Sequence, residues 1–139
     1  MGRHSALIVD DHFDSAVIFS EALKWAGFET EVVYSGEAAL ARLAATAPDV
    51  VVLDMCLPRV AGADILRCIR ADARLARTRV IVATADTQMA DTLCCSEADV
   101  VLVKPIGFNQ LRQVAASLFG RGEAGEQFSD VLSLEQCDA

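Results

Sequence analysis

Short runs of consecutive apolar residues alternate along the chain with longer stretches in which apolar residues recur every three or four positions. Four of these runs, at residues 6–9, 50–53, 80–83 and 100–103, are apolar throughout. Such runs are typical of strands that are buried on both faces of a parallel sheet. In a fifth run, residues 28–34, Glu29 and Glu31 interleave with Thr30 and Val32, which predicts a more exposed strand at the sheet edge.

The stretches between the runs have the apolar spacing of amphipathic helices. Five helices are predicted, and the fourth, at residues 87–97, is the weakest because Thr, Cys and Ser have modest helix propensity. Asp14 or Ser15 is expected to cap the first helix and Ser35 the second. Trp25 is expected to serve in helix packing and not as a platform for a ligand. The alternation predicts an α/β domain in which helices cover both faces of a parallel sheet.

Length and composition agree with a single folded domain. The chain has 139 residues, of which 53% are hydrophobic and 23% are charged. Residues 1–119 are expected to form the domain, and residues 120–139 a flexible linker and a short C-terminal tail. The apolar residues of the tail are spaced as in an amphipathic helix, which leaves open a frayed end or a helix that docks on a partner or on the chain itself.

The charge balance and the cysteines narrow the class of protein further. Twelve basic residues stand against 20 acidic ones, a net charge of −8, which disfavours direct binding of nucleic acid. No apolar run approaches the roughly 20 residues that span a bilayer, and no signal peptide is expected. The five cysteines include no CxxC pair, so we expect reduced thiols, buried or incidental, in a cytoplasmic protein without a membrane partner.

Polar side chains directly follow four of the apolar runs. Asp10 and Asp11 follow the first, Asp54 the run at 50–53, Thr84 the run at 80–83, and Lys104 the last. Each of these alone is commonly a turn former, a helix cap or a solvated charge. Because the carboxyl ends of parallel strands meet at one edge of a sheet, all five are expected to converge there and to form a ligand site.

Three carboxylates in close proximity repel one another unless a cation joins them. Mg²⁺ is the expected cation, because it prefers oxygen ligands and keeps several waters. Such a site favours transfer of a phosphoryl group, with Asp54 as the nucleophile at the end of a central buried strand. Lys104 would supply a fixed positive charge to the phosphoryl oxygens, and Thr84 a hydrogen-bond donor.

The ordered motifs resemble the receiver domain of two-component response regulators over about residues 5–119. They are Asp10-Asp11, Asp54 with Leu57-Pro58 and Gly62, Thr84-Ala85, and Val103-Lys104-Pro105. The resemblance implies a flavodoxin-like fold with strand order 2-1-3-4-5. It also implies that a histidine kinase or a phosphotransfer protein donates a phosphoryl group to Asp54.

The resemblance assigns metal ligands as well. It implies that Asp11 and Asp54 bind Mg²⁺ directly, that Asp10 binds it mainly through water, and that the backbone carbonyl of Cys56 completes the protein ligands. His12, next to the acidic pair, is expected to begin a loop and not to act as a general base.

Three further positions are identified by comparison with the family's pattern. Cys56 and Asp86 are similar to positions that tune the lifetime of the aspartyl phosphate, and the Lys104–Pro105 bond is similar to one that is commonly cis. Val101 departs from the pattern, because an aromatic residue is common three positions before the lysine. The usual coupling of an aromatic residue to Thr84 is therefore in doubt, and an irregular fourth helix is expected.

The signal is expected to leave through the face formed by the fourth helix, fifth strand and fifth helix, because Thr84 and Lys104 draw their loops toward the phosphoryl group. No output module is expected within these residues, so the message would pass by association with a separate target protein or in a homodimer. The protein is not expected to be an enzyme beyond its own phosphoryl transfer and hydrolysis.

Three other functions use a similar fold or chemistry. An interaction scaffold would keep the site and never be phosphorylated. An aspartate-nucleophile phosphatase of the haloacid dehalogenase type needs a second Asp where Cys56 stands. A flavodoxin-type FMN carrier needs a glycine- and hydroxyl-rich loop after the first strand, where the Asp10-Asp11 pair would repel phosphate.

Overall fold

A computed structural model describes residues 4–86, 88 and 98–119. The strands are β1 (His4–Val9), β2 (Phe28–Val33), β3 (Val50–Asp54), β4 (Arg79–Thr84) and β5 (Val100–Val103). The described helices are α1 (Phe13–Trp25), α2 (Gly36–Ala45), α3 (Gly62–Ala71) and α4 (Phe108–Phe119), with a 3-10 turn at Ala73–Leu75. The predicted helix at 87–97 and the predicted tail at 120–139 lie outside the described residues, except for Gln88.

All five strands pair in parallel in the order β2-β1-β3-β4-β5. This order confirms the predicted flavodoxin-like topology. The strand with interleaved acidic residues, β2, lies at the sheet edge, and Glu29 and Glu31 are exposed there. Four continuous apolar runs form the other strands, because burial on both faces leaves no position for a solvated side chain.

Helices cover both faces of the sheet, as predicted. Successive side chains along a strand point to opposite faces, so Ile8 and Val52 pack in the layer that contains α1 and α4. Their neighbours Leu7 and Val51 pack in the layer that contains α2 and α3. The central strands are almost fully excluded from solvent, and packing on both faces fixes the positions of their carboxyl ends.

The strand register sets the height of each strand end. Val9 pairs with Leu53, so Asp10 and Asp54 follow at the same level. Asp54 in turn pairs with Ala83, which puts Thr84 one residue beyond it. Because Thr84 pairs with Val103, Lys104 lies one residue further still.

The two predicted helix caps have different outcomes. Ser35 caps α2 as predicted, and its Oγ accepts the Ala38 backbone N–H at 3.1 Å. The prediction for α1 is wrong, because His12 is the N-cap residue and the helix already begins at Phe13. The carboxylate of Asp10 accepts the His12 backbone N–H at 2.9 Å, which closes the turn after β1 before Asp14 is reached.

Several side chains are more exposed than expected. Cys56 and Cys68 are free thiols and both are exposed, which agrees with the expectation of incidental thiols and not with that of buried ones. The other three cysteines lie outside the described residues. Trp25 is 73% exposed, and its ring meets the edge of the Phe108 ring at a centroid distance of 6.5 Å. Trp25 therefore takes part in helix packing only along this edge, and most of its ring is exposed. Among the described helices, none has the length and apolarity that a membrane span requires.

Candidate functional site

The carboxyl ends of β1, β3, β4 and β5 bring the predicted side chains to one edge of the sheet. Asp10, Asp54 and Thr84 are buried, with 0%, 1% and 0% of their surface exposed. Asp11 directly follows Asp10 and is more exposed. Lys104 follows β5, and its side chain keeps 21% of its surface exposed. Buried carboxylates are rare unless they are paired or bind a cation, so this edge is a candidate site.

Lys104 bridges two of the buried carboxylates. Its Nζ lies 3.5 Å from Asp10 Oδ2 and 3.5 Å from Asp54 Oδ2. One ammonium therefore faces two buried anions. A third carboxylate, Asp11, stands beside them, so the cluster carries more negative charge than Lys104 can neutralise.

The two oxygens of Asp54 have different surroundings. Oδ1 accepts the backbone N–H of Cys56 at 3.1 Å. Oδ2 is buried and accepts no hydrogen bond from the part of the chain that the structure describes. A buried carboxylate oxygen without a donor costs free energy, which indicates that an incoming group completes its coordination.

Burial raises the pKa of Asp54 above its ordinary value, and the nearby charges of Asp10 and Asp11 raise it further. The Cys56 N–H and the Lys104 ammonium oppose this rise. The folded protein therefore pays a penalty to hold Asp54 in its ionised form, the form that a nucleophile or a metal ligand needs.

Replacing Asp54 by asparagine is expected to raise the free energy of unfolding, by about 1–3 kcal/mol at neutral pH in the presence of a chelator. The amide keeps an acceptor for the Cys56 N–H and carries no charge. Because the folded-state pKa of Asp54 is raised, the wild-type carboxyl is not penalised below its ordinary value of 3.8. The penalty develops as the pH rises from 3.8 to the raised pKa, and above that pKa it is constant.

Urea unfolding of both proteins between acidic and neutral pH tests this expectation. The stability difference should be small in acid and should grow toward neutral pH in favour of Asp54→Asn. A variant that is less stable than wild type at neutral pH, or a difference that does not change with pH, would contradict it.

The acidic cluster has the donor set of a metal site. Asp10, Asp11, His12 and Asp54 each offer one ligand atom, and these atoms all lie within 4.8 Å of one another. Carboxylate oxygens are the donors that Mg²⁺ prefers, and the unpartnered Oδ2 of Asp54 is among the atoms available. The residues present therefore fit a hard divalent cation.

The sequence-based interpretation assigned His12 only a loop role, and its place in this cluster was missed. Its Nδ1 lies 3.2 Å from Asp11 Oδ1 and 3.6 Å from Asp10 Oδ1, while 68% of the side chain remains exposed. The signal available in the sequence was its position directly after two acidic residues at a strand end.

The other predicted site residues surround the cluster. Thr84 Oγ1 accepts the Asp86 backbone N–H at 3.0 Å, which ties the loop after β4 to the strand end. Asp86 and Cys56 are exposed beside the site. The Lys104–Pro105 bond is cis. Val101, three positions before Lys104, is buried in the layer with α2 and α3. An aliphatic side chain therefore stands at the position where an aromatic residue is common in the family's pattern.

The family model for the response regulator receiver domain matches residues 6–116. The chain belongs to this family. A relative from Mycobacterium leprae, the DNA-binding response regulator MtrA, is 30% identical over 138 residues, which cover 98% of this chain and 59% of the relative. The virulence sensor protein BvgS of Bordetella pertussis is 39% identical over 114 residues, 77% of this chain and 9% of that protein.

Solved structures agree with the receiver fold. A CheY-like response regulator receiver domain from Methylobacillus flagellatus is similar with a TM-score of 0.75 at 27% identity, over 84% of this chain and 99% of that one. The response regulator DrrB of Thermotoga maritima has the same TM-score and identity, over 85% of this chain and 53% of its own. This receiver domain spans about half the length of the MtrA relatives it matches.

Proposed function

We propose that this receiver domain accepts a phosphoryl group on Asp54 from a histidine kinase or a phosphotransfer protein. The observation that carries the proposal is the Oδ2 atom of Asp54, which is buried, receives no hydrogen bond from the described residues, and faces Lys104 at 3.5 Å. A carboxylate oxygen in this position is available as a nucleophile toward phosphorus. In the transfer, a P–O bond to Asp54 forms while the P–N bond to the donor histidine breaks.

Asp10, Asp11 and Asp54 would hold Mg²⁺, with the Cys56 carbonyl as a further ligand. Their carboxylates supply the oxygen donors that this cation prefers, and the mutual repulsion of the three anions favours its binding. When bound, the cation supplies positive charge to the phosphoryl oxygens.

Lys104 and Thr84 would bind the phosphoryl group after transfer. The Lys104 ammonium is already held at the site by the two buried carboxylates, so it reaches a phosphoryl oxygen on Asp54 with a small displacement. Thr84 lies at the adjacent strand end and has a hydroxyl donor. Cys56 and Asp86, which flank the site, would control how readily water reaches the aspartyl phosphate.

The movement of Thr84 and Lys104 would carry the signal. Thr84 Oγ1 accepts the Asp86 N–H, so a threonine that turns toward the phosphoryl group pulls on the loop that enters residues 87–97. Lys104 lies between β5 and α4. The output surface proposed is therefore the face of residues 87–97, β5 and α4, which would bind a separate target or a second copy in the cytoplasm. Catalysis would be limited to the domain's own phosphorylation and dephosphorylation.

Incubation with acetyl phosphate tests the proposal without knowledge of the kinase. Intact mass is measured with Mg²⁺ and with a chelator. The expected result is one added phosphoryl group in the presence of Mg²⁺, labile to hydroxylamine, and its complete loss in Asp54→Asn.

Asp49→Asn is the matched control, because Asp49 precedes β3 at the opposite edge of the sheet and is a carboxylate outside the cluster. It should be phosphorylated like wild type. A folded wild-type protein that gains no phosphoryl group, or an Asp54→Asn variant that still gains one, would contradict the proposal and favour the scaffold function.

A further inference from the structure

A cleft lies at the edge of the sheet opposite the acidic cluster, where the strands begin. It has a volume of about 900 Å³, and its lining includes Asp49, Arg70, Arg77, Asp99 and Phe119. Arg79, at the start of β4, lines it too. None of these side chains belongs to the phosphoryl site, which is formed by the other ends of the same strands.

The cleft is basic in a protein that is strongly acidic. Its lining includes three guanidinium groups, Arg70, Arg77 and Arg79, against two carboxylates. Arg70 and Arg79 share one of these carboxylates, Asp99, at 2.8 and 3.5 Å. Residues 70–79 hold four of the chain's arginines and one aspartate, a net charge of +3 in a chain of −8.

An acidic segment of the chain begins at this cleft. Phe119 ends α4 and lines the cleft, and its ring lies 4.6 Å from the ring of His4. The next residues, 120–139, contain five acidic residues and one arginine, a net charge of −4. They also contain the apolar residues Phe128, Val131, Leu132 and Leu134, which suit the arginine stems and the apolar part of the lining.

We propose that residues 120–139 of this chain bind across the arginine-lined cleft at the amino-terminal edge of the sheet. Opposite charges attract the segment to the cleft, and its apolar residues cover Phe119 and the arginine stems. Because the segment starts at the cleft, binding is intramolecular and needs no concentration of a partner. Twenty residues of flexible chain span about 25 Å on average, which is long enough to cross the cleft.

Residues 120–139, when bound in the cleft, would contact Asp99 and Arg70, the two residues that hold the start of β5. Asp99 accepts the Val80 backbone N–H at 2.8 Å and pairs with Arg70 of α3. A bound segment would therefore lie against the end of β5 opposite Lys104. The proposal concerns a surface separate from Asp54 and does not depend on phosphorylation.

Amide hydrogen exchange of the full chain tests the proposal. Arg77 is the residue to reverse, because it is exposed and the other two arginines also hold Asp99. In Arg77→Glu, peptides from residues 127–139 are expected to exchange about tenfold faster than in wild type at low salt, as for a segment bound nine-tenths of the time. The same acceleration is expected for wild type in about 1 M salt, where charges are screened beyond roughly 3 Å.

Two further variants decide between a specific contact and a general charge effect. Arg67→Glu makes the same change of charge on the exposed face of α3, where Arg67 pairs with Asp64, and should leave the exchange of residues 127–139 unchanged. Combining Arg77→Glu with Asp130→Lys exchanges the two charges. The double variant should restore the protection of residues 127–139 from hydrogen exchange, and high salt should again remove it.

Equal exchange in wild type and Arg77→Glu would overturn the proposal, and so would an equal effect of Arg67→Glu. Protection that increases with protein concentration, together with a dimer in sedimentation, would assign the cleft to the segment of a second copy. Each of these results is independent of whether Asp54 accepts a phosphoryl group.

Discussion

Replacement of Gly62 by alanine is expected to lower the free energy of unfolding by about 3 kcal/mol. A Cβ atom at this position would lie 2.7 Å from Met55 Cα and 2.8 Å from the Asp54 carbonyl oxygen. Both are backbone atoms next to the candidate nucleophile, so neither can move without displacing the end of β3. The first turn of α3 must instead move away from the sheet and lose packing around Ile65.

Gly107→Ala is the matched control, because a Cβ at Gly107 would meet nothing within 4 Å among the described residues. Gly107 immediately precedes a helix, α4, whereas Gly62 is the first residue of α3. The replacement of Gly107 should change stability by less than about 0.5 kcal/mol. Urea unfolding at neutral pH measures both variants. If Gly62→Ala is as stable as Gly107→Ala, the close approach of α3 to the end of β3 does not constrain the protein.

Replacement of Lys104 by methionine is expected to cost about 3 kcal/mol of stability in the presence of a chelator. The methionine fills a similar volume but leaves Asp10 and Asp54, each with a side chain 1% exposed, without their shared cation. Loss of one partner from a buried charge cluster is costly because the remaining charges stay desolvated. The same variant is expected to be poorly phosphorylated by acetyl phosphate.

The double variant Lys104→Met with Asp54→Asn separates electrostatics from packing. Removal of one anion should recover at least half of the lost stability, because a single buried carboxylate remains where there were two. Lys24→Met is the control, since Lys24 is exposed and pairs with Glu21 at 3.4 Å on α1. It should change stability by less than about 1 kcal/mol. An equal loss for Lys24→Met and Lys104→Met would rule out a special role for the buried cluster.

The strands could be predicted from local pattern because burial on both faces tolerates only apolar side chains. Once parallel pairing is inferred, the residues after each strand must share an edge, and Asp10, Asp54, Thr84 and Lys104 do so. The start of α1 was misplaced because a carboxylate two residues upstream, that of Asp10, accepts the His12 N–H. That hydrogen bond competes with the ordinary preference of Asp14 for the N-cap position.

Distances between remote parts of the chain could not be predicted in this way. Lys104 reaches Asp10 across 94 residues of sequence, and the raised pKa of Asp54 comes first from burial by its surroundings. Neither appears in any local pattern. The basic cleft likewise combines residues from the starts of several strands with the end of α4.

The order of apolar and polar residues was therefore enough to predict the α/β fold and the acidic edge, because periodicity and strand ends are local properties, and the ordered motifs added the resemblance to the receiver family. The charge balance at Asp54, the inclusion of His12 and the cleft at the far edge depend on how the strands stack in space. Electrostatic free energies vary with distance and burial, and folding alone sets both.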